Sequence, residues 1–137
     1  MTTLIDTNVL VDVAVRDPAW SDWSRRWLAQ AAMVGGMVIN PIVYSEFCFR
    51  YETIDEVDRV LPGDTFQRED IPWPAAFLAA RAFRIYRGAG GRKARVLPDF
   101  LIGAHAAIRG YRLLTRDPAG YRRYFPTVDL ITPETHP

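Results

Sequence analysis

The chain predicts a three-layer α/β/α domain built on a mostly parallel sheet of four to five strands. Two observations carry that expectation. Short β-branched or apolar runs, each closed by a turn signal, alternate along the chain with longer stretches of helical periodicity. That is the pattern of a parallel sheet covered on both faces. The 137 residues hold no repeat, low-complexity tract or internal linker, so they read as one domain around a single core. Connections between neighbouring parallel strands would be right-handed crossovers.

Thr2 to Ile5 reads as the first buried strand. Asp6-Thr7-Asn8 follows, three residues that cap helices, and then an apolar series at Val9, Leu10, Val13 and Ala14. Asp6 therefore stands where a strand ends and a helix begins, the edge of an open α/β sheet at which ligands bind. The helix from about Thr7 to Val15 stops near Asp17-Pro18. A second runs from about Ala19 to Val34, with Trp20, Trp23, Trp27 and Ala31 along one face, and ends at Gly35-Gly36. Met37-Val38-Ile39 is the next strand, and Asn40-Pro41 opens a helix with a cap followed by proline at its first position. Thr53, with Glu56 three residues on, caps another helix that stops at Pro62-Gly63.

Asp64 to Gln67 is a short candidate strand, and Pro72 or Pro74 starts a helix that reaches Tyr86. A glycine-rich basic stretch from Gly88 to Arg95 reads as a flexible loop. Pro98 opens a helix over Asp99 to Arg109, ended by Gly110. Tyr111 to Leu114 is the fourth strand, Thr115-Arg116-Asp117-Pro118 a turn, and Val128 to Ile131 the last strand.

Hydrophobic residues at 49% and charged ones at 24% are ordinary for a soluble globular protein. No apolar run approaches the about 20 residues of a membrane span, and no basic leader precedes the first strand, so a cytoplasmic location is expected. Cys48 is the only cysteine, which excludes an internal disulfide and a cysteine-cluster metal site. Lys93 is the only lysine among 17 basic residues. Arginine's planar fork suits bidentate contact with phosphate, although genomic base composition also favours arginine.

Four acids fall at matched positions in this plan. Asp6 follows the first strand, and Glu46 lies about two turns into the helix opened by Asn40. Asp99 is in the first turn behind Pro98, and Asp117 lies just past the fourth strand. In a parallel sheet such positions share one rim. Each acid alone is equally a helix cap, a dipole partner or a turn residue. Together at one rim they would repel one another unless a cation intervened. Mg²⁺ or Mn²⁺ is the natural counter-ion for carboxylates, and two such ions roughly 3.5–4 Å apart are a common apparatus for phosphodiester hydrolysis.

Leu4-Ile-Asp-Thr-Asn-Val-Leu10, Glu46 after Asn40-Pro41, Leu97-Pro-Asp-Phe-Leu-Ile-Gly-Ala-His-Ala106 and Leu113-Leu-Thr-Arg-Asp117 resemble the PIN-domain ribonucleases. The likeness is strongest to the VapC-type toxins of bacterial toxin–antitoxin pairs, and it covers nearly the whole chain. It implies a PIN-like fold and assigns Asp6, Glu46, Asp99 and Asp117 to metal binding and catalysis. Asn8 and Thr115 then take polar positions that support the site. It further implies an endoribonuclease dependent on Mg²⁺ or Mn²⁺ with water as nucleophile. A cognate antitoxin, a homodimer, and structured RNA such as transfer RNA as substrate are implied with it.

Arg81, Arg84, Arg87, Arg92, Lys93 and Arg95 lead toward Asp99. Of these, Arg87, Arg92, Lys93 and Arg95 are the candidate nucleic-acid contacts, against the alternative of a solvated face. Gly88, Gly90 and Gly91 lack the pattern of a phosphate-binding loop. Arg116 could contact substrate phosphate or orient a carboxylate. Trp20, Trp23 and Trp27 form one stripe that faces the core or a partner, and the toxin resemblance makes them candidates for antitoxin contact. His105 lies about 120° round its helix from Asp99 and reads as packing; His136 lies near an end expected to be disordered. Two other readings place acids on an α/β rim. A phospho-acceptor domain needs a lysine after a late strand, which Lys93 is not, and a haloacid-type phosphatase needs Asp-x-Asp where this chain has Asp6-Thr7-Asn8. A catalytically idle module that binds RNA or a partner would carry the same fold.

Overall fold

The opening apolar run forms β1 (Thr3–Ile5), buried at every residue. The computed structural model, which describes residues 1–93 and 96–137, puts this strand at the centre of a five-stranded sheet. Its neighbours are β2 (Met37–Ile39) and β4 (Arg112–Leu114), with β3 (Phe66–Arg68) and β5 (Leu130–Ile131) at the edges. Every pairing is parallel, and Thr3 lies opposite both Met37 and Arg112. The sheet expected to be mostly parallel is entirely so.

The helices are α1 (Thr7–Ala14), α2 (Ser21–Val34), α3 (Pro41–Cys48) and α4 (Ile54–Val60), followed by α5 (Trp73–Gly88), α6 (Val96–Arg109) and α7 (Ala119–Tyr124). They cover the sheet as an α/β/α sandwich. Its core runs from Leu4, Ile5, Val38 and Leu113 on the strands to Val9, Phe47 and Ile102 on the helices.

The cap residues perform as their chemistry predicts. Asn40 Oδ1 accepts from the Ile42 and Val43 N–H groups, both at 3.0 Å. Its Nδ2 can then only donate, so His105 Nδ1, 3.1 Å away, is the acceptor. The ring proton sits on Nε2 and is donated to Glu69 Oε1 at 2.9 Å. His105 is fully buried and ties α3 and α6 to the segment after β3, which is the packing role its helical position indicates.

Three points differ from or add to the sequence expectations. Residues 119–124, to which the sequence reading assigns no element, form a helix, α7, directly after the predicted turn at 115–118. The glycine stretch is not merely flexible: a Cβ on Gly91 would collide with the Tyr86 ring, whose hydroxyl accepts the Lys93 N–H at 3.0 Å. His136 is not in a disordered end. Its carbonyl accepts from Trp23 Nε1 at 2.7 Å, and its ring packs edge-on against Trp27 with centroids 4.9 Å apart.

Candidate metal centre

The carboxyl edge of β1 delivers Asp6 into the interior, 5% exposed, as the cap of α1. Its Oδ1 accepts the Thr7 N–H at 2.8 Å. Its Oδ2 accepts from the hydroxyls of Thr115 (2.8 Å) and Tyr121 (3.0 Å) and from Asn8 Nδ2 (3.3 Å). Burial raises the Asp6 carboxyl to about 6, against the pull of the Thr115 and Tyr121 hydroxyls and the Thr7 N–H; Glu46 adds a small push in the same direction as burial.

Glu46 projects from α3 and is held at Oε1 by the Thr7 hydroxyl, 2.7 Å away. Asp99 stands in the first turn of α6, and its carboxyl is raised to about 7. Loss of water is the leading cause, followed by the charges of Asp6, Glu46 and Asp117. The residue itself is exposed to solvent at the cavity. Asp117, also exposed, follows β4, and its N–H donates to Thr115 Oγ1 at 3.1 Å. Thr115 is the junction of the set, since it also receives Asn8 Nδ2 at 3.4 Å.

All four acids line one cavity of about 180 Å³, together with Thr7, Asn8 and Tyr121. The rim position read from the sequence is therefore where the structure gathers them. Among the described residues no three acidic, histidine or cysteine side chains form a ready-made cation cage. The donor set still fits a hard divalent ion. Mg²⁺ keeps several of its waters and takes only one or two carboxylates, and the mutual repulsion felt at Asp99 is the charge excess such an ion relieves.

The other candidates fall on different ground. Asn8 and Thr115 touch Asp6, in keeping with their supporting place in the sequence. Arg116 turns away from the cavity: Nε and Nη2 form a fork onto Asp12, both at 2.8 Å, while its N–H donates to Asn8 Oδ1 at 3.1 Å. The carboxylate it pairs with is not one of the four cavity acids. Arg87 lies over the Phe83 ring at 5.9 Å, and Arg92 and Lys93 are exposed; Arg95 lies outside the described residues. Trp23 is buried and Trp20 and Trp27 half-buried, all packed by this chain itself, so the stripe offered to a partner faces inward. Three residues of the site and its surroundings are not evident from the sequence. Tyr121 comes from α7, whose single sequence signal is Pro118 as a helix opener. Thr7 reads only as a capping residue, and nothing local marks Asp12, 1% exposed, as the seat of Arg116.

A profile of the PIN domain matches residues 3–125, most of the chain. The chain belongs to the PIN domain family. The PIN fold is also what solved structures share with it. VapBC2 from Rickettsia felis, bound to a DNA fragment from its promoter, superposes with a TM-score of 0.74 at 19% identity, covering 96% of this chain and 98% of that one. FitAcB from Neisseria gonorrhoeae gives 0.71 at 18% identity with the same coverage. A toxin–antitoxin complex from Klebsiella pneumoniae gives 0.61 at 22% identity, covering 96% of this PIN domain and 97% of its counterpart. No curated protein matches the sequence.

Proposed function

We propose that this PIN domain is a metal-dependent endoribonuclease, the toxin of a toxin–antitoxin pair, acting on structured RNA such as transfer RNA. The observation that carries the reading is the cavity walled by Asp6, Glu46, Asp99 and Asp117, in which the charges of the other three help to raise the Asp99 carboxyl. A divalent cation, Mg²⁺ or Mn²⁺, would be held among these four acids, one or two of them directly and the others through its waters; when bound it would activate water and stabilise the leaving oxygen of a phosphodiester. The chain's own part is orientation. Thr115, Tyr121 and Asn8 fix one oxygen of Asp6, the Thr7 N–H fixes the other, and the Thr7 hydroxyl sets Glu46. The exposure of Arg92 and Lys93 before α6 supports their meeting RNA phosphates, and Arg87 and Arg95 belong to the same basic stretch.

An antitoxin partner is supported by the likeness to a toxin–antitoxin complex. A homodimer is supported by α5, where Trp73, Phe77 and Ile85 stand 88%, 67% and 63% exposed at intervals of four and eight residues. No helix among the described residues is long and apolar enough to cross a membrane.

Asp99→Asn is nearly isosteric and removes a charged ligand. The variant should fold and lose RNA cleavage; a folded variant that cuts at a near wild-type rate rules Asp99 out. Mn²⁺ at a hundredfold excess over its Kd should stabilise the wild type by about 2.7 kcal/mol. Asp6→Asn, read by melting curves with chelator and with Mn²⁺, should melt at or above wild type without metal yet gain much less from it. Equal metal-induced shifts in the two proteins would remove Asp6 from the ligand set.

A further inference from the structure

Beside the acidic cavity the surface opens into a groove of about 720 Å³ between α1 and α3. The groove shares Thr7, Asn8 and Glu46 with the cavity, so the two form one continuous depression. Phe49, just beyond the C-terminal end of α3, lines it with 89% of its surface in water. Two arginines border the same groove and differ in what they have left to give. Arg116 is committed to Asp12, whereas Arg50 is exposed and enters no ion pair among the described residues.

Phe49 and Arg50 follow Glu46 by three and four residues, which puts all three on one side of the helix end, about 4.5–6 Å apart along its axis. A large apolar ring left in water is unfavourable. A polyanion approaching four carboxylates also needs a positive charge beside them. An unpaired nucleotide answers both, with its base on the ring and its phosphate on the guanidinium. A protein segment fits less well: Thr7, Asn8, Ser45 and Glu46 make the walls polar, without the apolar stripe that receives an amphipathic helix.

We propose that Phe49 and Arg50 form a subsite for the nucleotide next to the scissile phosphate, with the base stacked on Phe49 and the phosphate on Arg50. The proposal rests on the ribonuclease reading and adds to it two residues that position the substrate away from the reacting atoms. The test is steady-state cleavage, with Mn²⁺, of a labelled single-stranded oligoribonucleotide of mixed sequence by wild type, Phe49→Ala, Phe49→Trp and Arg50→Ala. Phe49→Ala should raise KM about tenfold with kcat and melting temperature little changed, and Phe49→Trp should restore KM. Arg50→Ala should raise KM and flatten the salt dependence of kcat/KM by about 0.7. An unchanged KM for Phe49→Ala overturns the subsite. So does an unchanged KM together with weakened binding of the cognate antitoxin, which would give the groove to a protein. Where only bulk transfer RNA is cut, the same KM comparison is made on it; a wild type that leaves both the oligonucleotide and transfer RNA intact removes the ribonuclease reading itself, and the subsite with it.

Discussion

Asp6 shows how a residue that reads as a helix cap becomes a chemical group. Its capping hydrogen bond to Thr7 is present, but the strand before it has carried the carboxyl inside. Its ordinary value of 3.8 rises to about 6. Between those two values the folded state holds a proton that the unfolded state has lost, so stability falls as pH rises through that window and is flat above it. With chelator present, the wild type should lose on the order of 3 kcal/mol between about pH 4 and pH 7 relative to Asp6→Asn. Melting temperatures of both proteins across that range measure the difference. Parallel curves would mean that the Asp6 carboxyl does not carry the burden of burial. Asp6, Asp99 and Asp117 stand out in the sequence because they sit at element ends, and Glu46 and Thr115 join them through the family resemblance. Tyr121 is not legible, since it reaches Asp6 across 115 residues.

At the scale of elements, the Arg116–Asp12 fork is the chief polar tie between α1 and the segment that follows β4. Ser24 on α2 adds a third hydrogen bond, donating to Asp12 Oδ2 at 2.8 Å. The partners are unequal, because Asp12 is sealed from water while the Arg116 side chain is 29% exposed. Arg116→Met leaves a buried charge behind and should cost about 3–5 kcal/mol, whereas Asp12→Asn leaves an arginine that can turn to solvent and should cost less. Urea unfolding of the two variants separates the cases, and equal losses would show that the charge itself matters little. The same segment illustrates where local reading stops. α7 is only six residues long, too short to display a periodicity, and it is held by Tyr121 and Phe125 against α6. Gly103 makes that approach possible, since a Cβ there would strike the Phe125 ring. By contrast, α2 and α3 announce themselves, through a long amphipathic run and through Asn40-Pro41 respectively.

For the molecule as a whole, the alternation of strand and helix patterns is enough to give the layered parallel sheet, because each strand is buried on both faces or lies beside one that is. What tertiary structure adds is the direction of the basic and aromatic residues. The tryptophan stripe is covered by the chain's own last residues, while Arg92 and Lys93 stay in solvent. Neutralising Arg92 and Lys93 together should weaken binding of single-stranded RNA. The slope of log affinity against log salt should fall by about 0.7 for each phosphate that is no longer neutralised. Titrations at several salt concentrations test this, and an unchanged slope returns the pair to an ordinary solvated surface.

The central strand and one of its two neighbours lie far apart in chain order, Thr3 pairing with Arg112. β1 cannot pair with β4 until Arg112 to Leu114 have been synthesised, and the acidic cavity lacks a wall until Asp117 follows. A growing chain therefore carries its most apolar segment without a full set of partners through most of translation, a state prone to misassembly. For the proposed ribonuclease the same order is a safeguard. A product broken off before Asp117 lacks one of the four proposed ligands, so the proposed site is not assembled until that residue has been made.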